Sequence, residues 1–329
     1  MPQFDLPLPE LLRYAPAVAE PADFDAFWAA TLGDARAVPP VLAADRVTTG
    51  LRLVDTWDVT FAGFGGDPVR AWFSRPAVLP AVLPAGVPAG LPAVVEFAGY
   101  GRGRGLPHER LTWVTAGYAH LLMDNRGQGD LYGNGGATPD PHAGGYRLVT
   151  EGILAPHDYY YRRLVTDAVR AVDTVRALPG VDPARVAVAG NSQGGGLALA
   201  VAGLVPDVAA LLATAPFLCH FQRAVALTDA SPYGEIAQHL AVHRGIEDRV
   251  WRTLSYVDGV SFARRAKAPG HFGAGLRDTV CPPSTVFAAY NAYGCADRVM
   301  HAYPYNGHEG GDAVHVRRQL DWLPSKLSA

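Results

Sequence analysis

The chain of 329 residues has only three cysteines, Cys219, Cys281 and Cys295, and no two of them form a CxxC pair. That scarcity argues against a disulfide framework and fits a reduced cytoplasm. Excess positive charge is also missing, since 28 lysines and arginines face 31 aspartates and glutamates, for a formal net charge of -3. Nucleic-acid binders carry a basic stripe, so no nucleic-acid partner is expected. No apolar run approaches the roughly 18 residues of a membrane span, and no membrane association is expected. The opening MPQFDLPLPELLRYAP lacks a basic start followed by an unbroken apolar core, so no secretory signal is expected and the location should be cytoplasmic.

What is plentiful is apolar surface and glycine. With 49% hydrophobic residues the chain can bury a large core. The organisation read from it is a single domain over residues 1–329, with an amino-terminal extension over 1–58 and a proline-rich surface loop over 77–93. In PADFDAFWAATL, Phe24, Phe27, Trp28 and Leu32 fall at helical spacing, with Asp23 available as a cap. Runs at 59–61 and 69–74, split by AGFGGDP, predict an antiparallel hairpin at a sheet edge. Strand signals then recur at 93–99, 120–124, 185–190, 208–214, 271–276 and 300–304. Helical signals lie between them, the longest over 159–178 with Leu164, Val165, Ala168, Val169, Val172 and Val175 on one face. This alternation predicts an α/β fold: a mostly parallel, doubly wound sheet with helices on both faces.

Serine is sparse, and one serine is crowded by glycine in VAVAGNSQGGGLALA, residues 186–200. A strand turning sharply into a helix would expose Ser192 at the apex, a geometry suited to a nucleophile. The plain alternative is a βα turn that uses glycine for close packing. Catalysis would require a histidine to take the serine proton and an acid to orient that histidine, in the chain order Ser, acid, His. Asp278 in GLRDTVCPP follows a strand signal, and His308 in YPYNGHEGG follows the last one. The rival acid, Asp297, falls in a turn leading into the last strand, at the opposite sheet edge. His239, His243, His301 and His315 lie in helical or strand contexts and read as structural. The HEGGD segment at 308–312 has Asp312 where a zincin helix needs its second histidine, and GYGRGRG at 99–105 has Arg104 where a dinucleotide loop needs glycine, so no metal and no organic cofactor are expected. Backbone amides for a developing oxyanion would come from Gln193 and from Tyr100 in FAGYGRG.

These residues carry a resemblance to the acetyl xylan esterase and cephalosporin C deacetylase family, carbohydrate esterase family seven, of the α/β-hydrolase superfamily. It extends from FDLPLPELLRY to the carboxy terminus through RGQG at 126–129, GILAPHDYYYRRL, GNSQGG at 190–195, DTVCPPSTVFAAYN and HE at 308–309. The resemblance implies Ser192, Asp278 and His308 as catalytic triad, the amides of Tyr100 and Gln193 as oxyanion hole, and Arg126, Gln128 and Glu309 as signature positions. For Arg126 a structural role is expected, bonding loop carbonyls near the turn at Ser192. The resemblance further implies removal of acetyl groups from small acetylated substrates such as xylo-oligosaccharides and cephalosporin C, a cytoplasmic location, and self-association as a homohexamer. The apolar Phe4, Leu6, Leu8 and Leu11 suit such an assembly. Departures are His220 where an acid is expected, the long 77–93 loop and the glycine-rich run before Asp278. An acyl pocket walled by Tyr100, Gln193, Phe217, Val280 and Cys281 would admit acetyl groups. A peptidase or longer-acyl lipase on the same fold, or a binding protein without activity, are the alternatives.

Overall fold

The computed structural model describes residues 3–77, 90–129, 136–142 and 147–328. Most of the proline-rich stretch read as a surface loop, 78–89, lies outside them. The described strands are β1 (Val41–Val47), β2 (Val54–Ala62), β3 (Pro68–Pro76), β4 (Leu91–Phe97), β5 (Ala119–Met123), β6 (Val181–Asn191), β7 (Ala210–Thr214), β8 (Gly270–Gly275) and β9 (Arg298–Tyr303). They form one sheet in the order β1-β2-β3-β5-β4-β6-β7-β8-β9. β1, β2, β3 and β5 pair antiparallel, and every pair from β5 through β4 to β9 is parallel.

Helices cover both faces because the parallel strands are apolar on both. In β4, Ala93, Val95 and Phe97 enter the larger core, while Val94, one position out of phase, enters a smaller one with Trp113, Ala187, Leu212 and Leu323. The larger core lies under α2 (Phe24–Arg36), α4 (Tyr160–Ala177), α5 (Gln193–Leu204), α9 (Gly259–Arg265) and α10 (Pro283–Ala292). The smaller one lies under α3 (Thr112–Thr115), α11 (Asp312–Trp322) and α12 (Pro324–Leu327). The remaining helices are α1 (Leu8–Leu11), α6 (Phe221–Leu227), α7 (Tyr233–Val242) and α8 (Glu247–Ser255). No helix of the described residues is long and apolar enough to cross a membrane.

Three expectations need correction. The hairpin β2–β3 is not at the sheet edge: β1, whose exposed residues give no apolar alternation, pairs outside it. Asp23 precedes α2 without capping it, because its carboxylate accepts the Tyr256 hydroxyl at 2.6 Å. Opposite the apolar face of α4, Arg163, Asp167 and Arg170 are buried as well. The apolar amino terminus is used within the chain: Leu11 is wholly buried, Leu6 and Leu8 pack on the core, and only Phe4 of the four is exposed.

α11 is held against β8 and β9 by a stack of imidazoles. The His271 ring lies 4.7 Å from that of His301, 4.9 Å from His315 and 5.4 Å from Trp322. Arg318 donates to His301 Nδ1 at 2.7 Å, and Tyr303 bonds His315 Nδ1 at 3.0 Å. Burial, followed by mutual repulsion, pushes His271 down to about 3 and His315 down to about 4. The folded chain therefore holds them neutral where the unfolded chain would protonate them. Their contribution to stability is complete above the ordinary imidazole value of about 6.5 and is lost as pH falls toward those depressed values. Urea unfolding should show a clear loss of stability between about pH 7 and pH 4.5, and His271→Phe should flatten that loss. Equal acid sensitivity in the variant would refute this role of the stack.

Candidate active site

The turn between β6 and α5 is built on backbone-to-backbone contact. A Cβ added to Gly190 would stand 2.2 Å from the Gly194 carbonyl carbon, and one added to Gly194 would stand 2.0 Å from the Phe97 carbonyl oxygen. No side chain fits at either position, so α5 can start directly against β4. Between them Ser192 is forced to φ 60° and ψ -122°, a region that residues with a Cβ avoid, at a cost of roughly 1–3 kcal/mol. The end of β7, the segment after it and the first turn of α5 hold it there: Ser192 N–H donates to the Thr214 carbonyl at 3.0 Å, and the Ser192 carbonyl accepts from Phe217 N–H at 2.9 Å and Gly196 N–H at 3.0 Å.

Three strand ends then bring three side chains together. Ser192 follows β6, Asp278 follows β8 and His308 follows β9, all at the carboxyl edge of the sheet. His308 Nε2 lies 2.8 Å from Ser192 Oγ, and His308 Nδ1 lies 2.8 Å from Asp278 Oδ2. The other carboxylate oxygen, Oδ1, accepts the amides of Val280 at 2.8 Å and Cys281 at 2.9 Å. Asp278 is 1% exposed and aimed by this double acceptance, so it accepts the hydrogen bond of Nδ1–H and leaves Nε2 as acceptor for the serine hydroxyl. Glu309 braces the histidine loop by accepting from the Asn306 amide at 2.9 Å and from Gly307 N–H at 3.1 Å. Asp297, at the far end of β9, is paired instead with Lys326 at 2.7 Å.

The loop carrying Tyr100 is fixed from below by the RGQG stretch. Gln128 Oε1 accepts from Gly101 N–H at 2.7 Å, and its amide nitrogen donates to Gln193 Oε1 at 3.0 Å. Asn125 donates to the carbonyls of Ala98, Gly99 and Arg102. Thus the two residues expected to supply oxyanion amides, Tyr100 on its loop and Gln193 at the start of α5, are tied to one buried glutamine. Tyr161 donates to Gln193 Oε1 at 2.8 Å, and Tyr160 donates to the Arg126 carbonyl at 2.7 Å. Sequence reasoning missed Asn125, Tyr160 and Tyr161. The first adjoins RGQG, and the other two lie in GILAPHDYYYRRL, so proximity to those motifs was the available signal.

Arg126 is structural, but its partners are carboxylates and not the expected loop carbonyls. It meets Asp167 at 2.5 and 2.7 Å, Asp67 at 3.1 Å and Asp140 at 3.6 Å. Burial works against charge on the guanidinium, yet the carboxylates outweigh it and raise Arg126 above its ordinary value. Burial likewise raises the Asp167 carboxyl, with Arg126 opposing.

The expected acyl-pocket wall is only partly lining. Tyr100 and Val280 face a cavity of about 620 Å³ that opens at Ser192 and His308. Gln193, Phe217 and Cys281 are wholly buried and do not line it, because aromatic packing fills the space behind the serine: the Phe217 ring lies 4.5 Å from that of Tyr233. Burial pushes the Cys281 thiol up, while a hydrogen bond with Ser192 opposes this, placing the thiol beside the serine. The Tyr100 hydroxyl donates to Glu235 Oε2 at 3.1 Å. His220 is not in the cavity; its ring lies 6.0 Å from that of Tyr14, and its amide donates to Asp258. Burial raises Asp258 to about 6 against the amides it accepts. Among the described residues no group of three or more His, Cys, Asp or Glu is placed to hold a metal ion.

The family described as acetyl xylan esterase matches residues 1–326. The acetyl esterase Axe7A of Xylanibacter ruminicola is 30% identical over 97% of this chain and 70% of its own length. Among solved structures, the acetyl xylan esterase from Paenibacillus sp. R4 superposes with a TM-score of 0.90 and 37% identity, covering 98% of this chain and 100% of that one. Acetyl xylan esterase 1 from Thermoanaerobacterium sp. JW/SL YS485 does so with a TM-score of 0.85 and 30% identity, covering 99% and 100%.

Arg126 is the cation that Asp67, Asp140 and Asp167 share, with Arg163 also meeting Asp140 at 3.0 Å, and removing Arg126 tests the scaffold. Arg126→Met should cost about 3–5 kcal/mol in urea unfolding, the penalty of stranding a buried charge. A loss below about 1 kcal/mol, the value of a surface pair, would contradict the buried network.

Proposed function

Because the chain belongs to the acetyl xylan esterase family and is therefore a carboxylic ester hydrolase, we propose that it removes acetyl groups from small acetylated sugars through an acyl-enzyme on Ser192. One observation supports this reading above the others: the continuous chain of 2.8 Å contacts from Ser192 Oγ through His308 to Asp278. His308 Nε2 takes the hydroxyl proton as Oγ attacks the acetyl carbonyl carbon. The carbonyl oxygen gains negative charge and is received by the amides of Tyr100 and Gln193, the latter at the positive amino end of α5. Collapse expels the alcohol, which takes the proton back from His308. Water activated by the same imidazole then releases acetate and restores the serine. Asp278, held by two amides, keeps the imidazole oriented and stabilises its cationic form.

The acyl group is small on this reading because the space behind Ser192 is occupied by buried Phe217, Tyr233 and Cys281. The acetylated cephalosporin side chain remains within the proposed substrate range. A cytoplasmic location is supported by the three free cysteines. Assembly as a homohexamer rests on kinship, with Leu42 and Leu53 exposed on and beside the edge strand β1 as available apolar surface.

Ser192→Ala should keep the wild-type urea midpoint and lose on the order of 10⁶ in turnover. Retention of a tenth of the activity would dismiss Ser192 as nucleophile. Aryl acetate should exceed the butyrate in kcat/KM by about tenfold or more, and octanoate further, since each methylene kept out of a closed pocket forgoes about 0.8 kcal/mol. Values that stay level or rise with chain length would favour a lipase-like enzyme.

A further inference from the structure

The cavity at Ser192 does not end there. It continues between α3 and the first turns of α11, over the face of β4 that carries Glu96. Trp113 and Val316 contribute apolar wall, and polar groups stand beside them, among them Glu109, Arg110, Asn191 and Asp312. Glu96 is compensated on two sides: Arg110 Nη1 donates to Oε1 at 2.5 Å, and His120 Nε2 lies 3.0 Å from Oε2. Burial alone would raise this carboxyl, but His120 and Arg110 outweigh it and hold it at about 2. Of the other charged groups in the wall, Glu109, Glu309 and Asp312 are acids and Arg102 is a base, so the lining is acidic on balance. Asp312 is exposed, stands at φ 46° and forms no ion pair among the described residues.

Geometry decides which half of the ester lies here. The departing oxygen must come within reach of His308 Nε2 to be protonated, and His308 stands in this wall. We propose that the cleft between α3 and α11 holds the alcohol half of the ester through its hydroxyls, with the carboxylates of Glu109 and Asp312 accepting from them and Arg110 donating. The inference rests on acyl transfer at Ser192. It goes beyond that reading by assigning the groups that choose the alcohol. A neutral, polyhydroxylated alcohol satisfies both donors and acceptors of the wall; an apolar alcohol leaves them desolvated and unpaired, and an anionic one meets the acidic excess. The cleft therefore ranks a neutral sugar acetate above an acetate whose alcohol carries a carboxylate.

The test compares the wild type with Glu109→Gln, Asp312→Asn and their double variant on three acetates. These are acetylated xylobiose, cephalosporin C with its carboxylates, and an aryl acetate without hydroxyls. Both substitutions keep shape, and asparagine tolerates the positive φ at 312. For the double variant KM on acetylated xylobiose should rise about tenfold, the scale of a lost charge-assisted hydrogen bond. KM on cephalosporin C should fall, while kcat/KM on the aryl acetate stays within about twofold, which also reports an intact fold and triad. Unchanged constants on all three substrates, or parallel changes on all three, would overturn the assignment. Wild-type inactivity on the aryl acetate would instead remove the acyl-transfer reading beneath it.

Discussion

Everything at this site depends on how closely α5 approaches β4. The Phe97 carbonyl occupies the space where a side chain at 194 would begin, so the helix can start only where glycine stands. That contact drives Ser192 into its strained conformation and directs its hydroxyl to the loop that follows β9. The sheet supplies the rigidity the strain requires. In register across it run Met123, Phe97, Gly190, Ala213, Phe272 and Met300, one residue from each of six parallel strands. The residues of the hydrogen-bonded chain follow three of those strands, so strand spacing sets where their short, hydrogen-bonded loops begin.

Beneath the catalytic edge, Gln128, Gln193, Tyr160 and Tyr161 are buried and hydrogen-bonded to one another, which is what turns burial into specificity of position. Gln128 joins the Tyr100 loop to Gln193, and the hydroxyls of Tyr160 and Tyr161 close the network from α4. Arg126, next in the layer, gathers Asp67, Asp140 and Asp167 from three separate stretches of chain. Such a cluster is weak as a source of net stability, because desolvation offsets much of the attraction. Its effect is to hold α4 and the loop before β3 at one distance from the serine turn.

The sequence made the fold class and the three residues at the strand ends legible, because glycine spacing, strand signals and chain order all describe local backbone. Asp278 could be preferred over Asp297 for the same reason: one follows a strand and the other precedes one. Partners distant along the chain were not legible. Nothing near Arg126 in the sequence indicates that its partners are carboxylates from positions 67, 140 and 167, so loop carbonyls were expected. The edge strand β1 escaped notice because, with its residues mostly exposed, it has no alternating pattern. Phe217 and Cys281 were placed in the pocket wall by proximity in sequence to site residues, whereas packing against Tyr233 and under Ser192 put them behind it.

The central claim, that the strained serine becomes covalently acylated, is tested most directly by rapid acid quench during turnover of an aryl acetate, followed by peptide mapping. The account predicts an acetyl group on the peptide containing Ser192, forming and decaying at rates compatible with turnover. Acetyl on another residue, or sustained turnover with no covalent acetyl at any time, would contradict it.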